Sequence, residues 1–301
     1  MHRYRNLMVG LGRTNADAEL VRYVAMVTEL GTAERVGCVH VLPSSAATPR
    51  DGDYNRVRAD LQASVESSGL HWPASVEVSY DVLYGPLMDQ LLTYTAERQV
   101  DVLFAGHGVK TPRRGTLARR LAMKAPCSVW MVPVAAPCTL HRILVPIDFS
   151  EGAADALRVA TSLARLAGHA ECLALHVYFN EAVATYEGYD EVIRGQEQQA
   201  YRQFIAPINC QGVRVKPLFE EGAQAAQVIG RVVEQQQVDL VVMATRGRSR
   251  SASILLGSVT EETLLATRVP LLAVKHFGAR IGVLQALLDR RFRQGGDLRT
   301  D

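Results

Sequence analysis

Residues 5–20 read R-N-L-M-V-G-L-G-R-T-N-A-D-A-E-L, and residues 142–157 read R-I-L-V-P-I-D-F-S-E-G-A-A-D-A-L. Each is a short apolar run that passes through a polar turn into a helical pattern. The likeness continues along both halves. Each reaches a His-Val pair (His40-Val41, His176-Val177), then an apolar stretch opened by aspartate, D-V-L-F-A-G at 101–106 and D-L-V-V-M-A at 239–244. Each closes beside a proline, with C-S-V-W-M-V-P at 127–133 and V-P-L-L-A-V at 269–274. A repeat of roughly 140 residues is too long for a solenoid unit and suits a domain. The chain reads as a duplicated domain.

The second half carries the clearer pattern. Ile143–Ile147 is continuously apolar, as in a strand buried on both faces. Ser150 and Glu151 suit an N-cap and an acidic first turn. Ala156, Leu157, Ala160, Leu163 and Ala164 then recur at helical spacing, and Gly168 ends the helix. Further strands are expected at 170–177, 213–219, 238–244 and 271–274, with helices at about 188–206, 222–236 and 258–267. The first half repeats this order, with strands near 6–10, 36–42, 76–82, 101–106 and 128–132. Strands alternating with helices predict an α/β fold, two tandem doubly wound parallel five-stranded sheets flanked by helices. P-V-A-A-P at 133–137 reads as a linker. The expected units are 1–137, 138–277, and a C-terminal helix and tail at 278–301.

Bulk properties narrow the function. With 301 residues and 48% hydrophobic content, the chain can bury two ordinary cores. A formal charge of +2 makes no case for nucleic acid or an anionic membrane as partner. The five cysteines show no CxxC spacing and read as reduced, buried thiols. The polar opening M-H-R-Y-R-N-L has no secretory core, and no stretch approaches the ~18 apolar residues of a membrane span. These features predict a cytoplasmic, soluble protein.

In doubly wound sheets, ligands bind beyond the carboxyl ends of the strands, where the strand order reverses. The second half offers Asp148 after its first strand, and T-R-G-R-S-R-S-A-S-I-L-L-G-S-V-T at 245–260 after its fourth. Gly247 permits close backbone approach. Gly257-Ser258-Val259-Thr260 sits at a helix start, where free amides and the dipole favour an anion. Arg246, Arg248 and Arg250 add positive charge.

These residues resemble a universal stress protein domain of the nucleotide-binding kind. The family's loop is Gly, two residues, Gly, nine residues, Gly, then Ser or Thr. Here Ala244, Gly247, Gly257 and Ser258 stand at that spacing, so three of the four positions match. V-P-I-D, L-H-V and D-L-V-V-M extend the likeness over about 142–275, and a weaker form covers about 5–133. The whole chain thus resembles a tandem universal stress protein of the adenine nucleotide alpha hydrolase-like fold. The resemblance implies ATP or a related adenine nucleotide as ligand, with or without Mg²⁺. Asp148 and the Val177 backbone would hold adenine, lined by Pro146, Ile147 and Met243. Ala244 and Arg246 would lie near ribose and phosphates. Amides of Gly247, Gly257, Ser258 and Val259 would cradle the phosphates. It also implies that the halves pair through their last strands, Val129–Val132 beside Leu271–Val274. A homodimer of whole chains and a regulatory protein partner stay open.

The first half departs from this pattern. Leu11 stands where Asp148 stands, the loop after Gly106 is shorter, and no Gly-Ser pair precedes the last helix. That half is expected to bind no nucleotide. Simpler readings remain beside these. Asp148 suits a helix cap, Gly247 and Gly257 suit a turn and a cap, and the arginines suit a solvated loop. His40 and His176 read as strand-end groups, and no cluster has zinc spacing. Trp130 reads as core or interdomain packing. No catalytic set is present: there is no GxSxG, and no Gly-Lys-Ser/Thr of a Walker A loop. Nucleotide-independent scaffolding and slow ATP hydrolysis are the alternatives to regulated binding.

Overall fold

The apolar runs of each half form strands, and the amphipathic segments between them form helices. The computed structural model describes residues 4–43, 51–68, 70–107, 115–168, 170–179, 189–247 and 256–275. The first half contains β1 (Asn6–Leu11), α1 (Asp17–Thr28), β2 (Arg35–Leu42), α2 (Asp51–Glu66), β3 (Glu77–Tyr84), α3 (Leu87–Glu97), β4 (Val102–His107), α4 (Gly115–Lys124) and β5 (Ser128–Pro133). The second contains β6 (Arg142–Ile147), α5 (Glu151–Leu166), β7 (Glu171–Tyr178), α6 (Tyr189–Ile205), β8 (Val215–Glu221), α7 (Ala225–Gln235), β9 (Leu240–Ala244), α8 (Ser258–Ala266) and β10 (Leu271–Val274). The tail expected at 278–301, with Arg248, Arg250 and the first-half loop 108–114, lies outside the described residues.

The strand order is β3-β2-β1-β4-β5-β10-β9-β6-β7-β8. Strands within each half run parallel. The halves join through one antiparallel pair, with Leu271↔Met131, Leu272↔Trp130 and Ala273↔Val129 in register. The expected last-strand pairing is therefore present, and it fuses two five-stranded halves into one ten-stranded sheet. Each half thereby covers an edge that would otherwise expose unsatisfied backbone groups.

Helices α1, α2, α5 and α6 pack on one face of the sheet, and α3, α4, α7 and α8 on the other. At the seam Trp130 is fully buried, stacked on Phe104 at 5.0 Å and edge-on to Tyr23 at 5.9 Å. Burial pushes the Cys38, Cys127 and Cys172 thiols up to about 12, which keeps them protonated and inert.

The aspartates that open the fourth strands do the same work twice. Asp101 Oδ2 accepts from the amides of Arg5 and Asn6, both at 2.8 Å. Asp239 Oδ2 accepts from His141 at 2.7 Å and Arg142 at 2.8 Å. Two details differ from expectation. The third strand of the second half starts at Val215, because left-handed Gln211 and Gly212 turn the chain and commit the Val213 amide to Cys210 O at 2.9 Å. The repeat register also moves by one residue. His40 Nδ1 meets Leu11 O at 2.8 Å, and His176 Nδ1 meets Ile147 O at 2.9 Å. Leu11 therefore matches Ile147, and Gly12 rather than Leu11 stands where Asp148 stands. The burial pattern of Leu20–Thr28 recurs at Ala156–Ala164 on this register, except that Ser162 is buried where Met26 is partly buried.

Candidate functional site

The strand order reverses between β1 and β4 in one half, and between β6 and β9 in the other. These two crevices differ. β1 pairs with β4 from Leu7↔Val102 through Gly10↔Ala105. β6 pairs with β9 only at Ile143↔Leu240 and Leu144↔Val241. Pro146 accounts for the shorter ladder, since it has no N–H to donate. The crevice between β6 and β9 therefore opens toward the rim, and the predicted site residues gather there.

Asp148 follows β6. Its Oδ1 accepts from the Ser150 amide at 3.1 Å and the Ser150 hydroxyl at 2.6 Å. Ser150 Oγ in turn accepts from the Ala153 amide at 3.2 Å and caps α5. Phe149 between them is left-handed, with φ of 63°, a conformation a β-carbon disfavours. Its ring is held against His176 at 4.3 Å and Phe204 at 5.6 Å. His176 Nε2 lies 3.1 Å from Glu197 Oε2, an ion pair when the ring is protonated. The histidine is thus a strand-end group that ties α6 to the rim beneath Asp148. Among the described residues no three His, Cys, Asp or Glu side chains could share a metal ion.

Gly247 comes to Asp148 from the β9 side. A β-carbon on it would lie 2.5 Å from Asp148 Oδ2, so a side chain there would have to push that carboxylate aside. A β-carbon on Gly257 would lie 4.0 Å from the Gly247 nitrogen and 3.8 Å from Thr245 O, ordinary contacts. The Gly257 amide donates to Thr245 O at 2.8 Å. That bond closes the loop between Thr245 and α8. The first turn of α8 carries the Ser258 and Val259 amides, and its N-cap, Gly257, has no side chain to cap them. Ser258 and Val259 are exposed.

Ala244, in place of the loop's first glycine, carries no left-handed strain; it is absent from the positive-φ residues. Its carbonyl accepts from Thr260 Oγ1 at 2.9 Å. Its methyl packs toward Gly152, where a β-carbon would lie 3.1 Å from it and 2.6 Å from Arg246 O. Met243 and Ile147 are buried in their strands, and Pro146 and Val177 are partly buried near the rim. Arg246 also lies close enough to Lys275 to act with burial in lowering that amine to about 8, burial being the larger cause. The place of Gly152 and the contacts of Thr245 and Thr260 within the loop escaped the sequence reading. A glycine inside the first turn of a strong helix was the available signal for Gly152.

The first half builds its rim differently. Gly12 has no carboxylate, and the amides of Gly12, Arg13 and Thr14 close on Asp17 at 3.3, 2.6 and 3.2 Å. An internal carboxylate fills this nest of amides. The last helix tells another story. Ala125 N bonds Leu121 O as Thr267 N bonds Thr263 O, so α4 and α8 are in register and Gly115-Thr116 stands where Gly257-Ser258 stands. The first half therefore has a Gly-Thr pair at this position, with Gly115 already inside α4 where Gly257 is the N-cap of α8, and it has no acid at Gly12.

The sequence pattern of the universal stress protein family matches this chain twice, over residues 3–133 and 139–275. The chain belongs to that family. A universal stress protein of Methanocaldococcus jannaschii, MJ0531, is 28% identical over 140 residues, which is 44% of this chain and 81% of that protein. The crystal structure of a universal stress protein from Archaeoglobus fulgidus DSM 4304 aligns with a TM-score of 0.66 at 18% identity. It covers 90% of this chain and 98% of its own. A universal stress protein solved in complex with cAMP matches 44% of this chain and 96% of its own at 20% identity, with a TM-score of 0.37. The doubling of the family pattern agrees with the two halves of the sheet. No helix among the described residues is long and apolar enough to cross a membrane.

Proposed function

We propose that this universal stress protein binds ATP or a related adenine nucleotide in its second half, in the crevice between β6 and β9. The observation that carries this reading is the convergence of Asp148, Gly247 and the uncapped start of α8 at one switch point. Asp148 and the Val177 backbone would engage the base, with Pro146, Ile147 and Met243 behind it. Ala244 and Arg246 would face the sugar and phosphates. Ser258 and Val259 amides, with the Ser258 hydroxyl, would take the phosphate oxygens. Gly247 and Gly257 would shape the loop. Bound nucleotide would favour one conformation or assembly that a regulatory partner reads, through unequal affinity for two states. Residues 1–137 act in this reading as the non-binding unit and 138–277 as the binding unit.

Titration calorimetry with ATP tests it. Asp148→Ala is expected to weaken binding at least about tenfold, the loss of one charge-assisted hydrogen bond. Gly257→Ala meets nothing closer than 3.8 Å among the described residues, so a loss of affinity there is expected to report crowding against the ligand. Unchanged affinity in both variants would refute the site. A protein that is empty on purification and takes up no ATP would leave a scaffold without nucleotide.

A further inference from the structure

We propose that the first half supplies a counter-charge to the anion cradle of the second, with Arg119 of α4 acting through Glu261 of α8. This rests on the nucleotide reading above. The donors of the cradle are the Ser258 and Val259 amides. Glu261 stands in the first turn of the same helix. A carboxylate there complements the helix dipole, and for that reason it competes with a second anion at the same end. Its side chain is 27% exposed, so water screens it poorly. Arg119 Nε lies 2.6 Å from Glu261 Oε1, and it reaches there from the other half of the molecule.

The repeat explains why the partner is an arginine. With α4 and α8 in register, Arg119 and Glu261 occupy the same repeat position. The strands agree: Trp130 and Leu272 also share a repeat position, and they lie directly opposite one another in the antiparallel pair. The seam is thus a local twofold contact, in which each position near the axis meets its own counterpart. Two second halves paired this way would set Glu261 against Glu261 beside both cradles. The tandem chain sets Arg119 there instead. On this argument the first half, without the acid for a base, completes the charge balance of the half that has it. Arg119 is a positioning residue: it neutralises Glu261 and does not touch the ligand.

The test is a double-mutant cycle on the full chain, titrated with ATP, ADP and adenosine. Arg119→Ala is expected to weaken ATP about fivefold to tenfold, the effect of one bared carboxylate near the phosphates. ADP should lose less, and adenosine nothing. Glu261→Gln is expected to tighten ATP, a gain that misfolding does not produce. Adding Arg119→Ala to Glu261→Gln should then change ATP affinity by no more than about twofold, since the group it screens is gone. Equal losses in both backgrounds would overturn the proposal, because Arg119 would then act without Glu261. Intact ATP binding by Arg119→Ala, with binding lost in Asp148→Ala, would overturn this inference alone. A wild-type chain that binds no ATP would overturn both readings.

Discussion

Between the two halves one methyl group has moved across the rim. The first half has Ala16 and Gly106 at the repeat positions where the second half has Gly152 and Ala244. In the second half the Ala244 methyl and the Arg246 carbonyl occupy the space a β-carbon on Gly152 would need. The departure from the family's loop at Ala244 is therefore matched by a helix glycine, and it leaves the backbone unstrained. This makes a prediction against ordinary helix propensity. Gly→Ala inside a helix normally stabilises by about 1 kcal/mol. Gly152→Ala is expected to destabilise by about 1–3 kcal/mol, because the carbonyl it meets at 2.6 Å belongs to backbone. Urea denaturation of the two proteins decides it, and a raised midpoint in the variant would count against the packing described.

At the scale of the element, α4 is held at its middle and at its C-terminal end by the second half. Arg119 pairs with Glu261 on α8. At its C-terminal end Lys275, just after β10, donates from Nζ to Met123 O at 3.1 Å and from its amide to Ser128 Oγ at 3.2 Å. A cation at a helix C-terminus suits the dipole. Burial still dominates, and it lowers this amine from 10.5 to about 8, with Arg246 assisting. The sign of the linkage follows. Below about pH 8 the amine is charged in both states, and the folded state bears the full penalty of burying it. Between about 8 and 10.5 the unfolded chain holds more protons, so stability rises with pH. Lys275→Met removes this contribution. Stability measured from pH 7 to 10.5 should therefore rise more steeply, or fall less, in the wild type than in the variant. Parallel curves would contradict the placement of the amine.

For the molecule as a whole, one ten-stranded sheet holds two copies of a domain that have drifted apart at the rim. Much of this was legible in the sequence. Apolar runs such as Ile143–Ile147 announce buried strands, and the aspartates before 102 and 240 mark the fourth strands. The register of the repeat was less legible. Arg5 matches Arg142 by identity, yet the strands begin at Asn6 and Arg142, and the histidine contacts to Leu11 and Ile147 set the true offset. The Gly115-Thr116 start of α4 was hidden because the first-half loop before it is shorter, which breaks the spacing. The roles of Gly152 and Arg119 depend on contacts between segments roughly 90 and 140 residues apart in sequence, and no local pattern encodes these.

A crystal structure of the full chain grown with ATP tests the central claim most directly. The account predicts one nucleotide per chain, its base against Asp148 and Val177 and its phosphates on the amides of Ser258 and Val259. Nucleotide found against Gly12 and Thr116 of the first half, with the crevice between β6 and β9 empty, would contradict it.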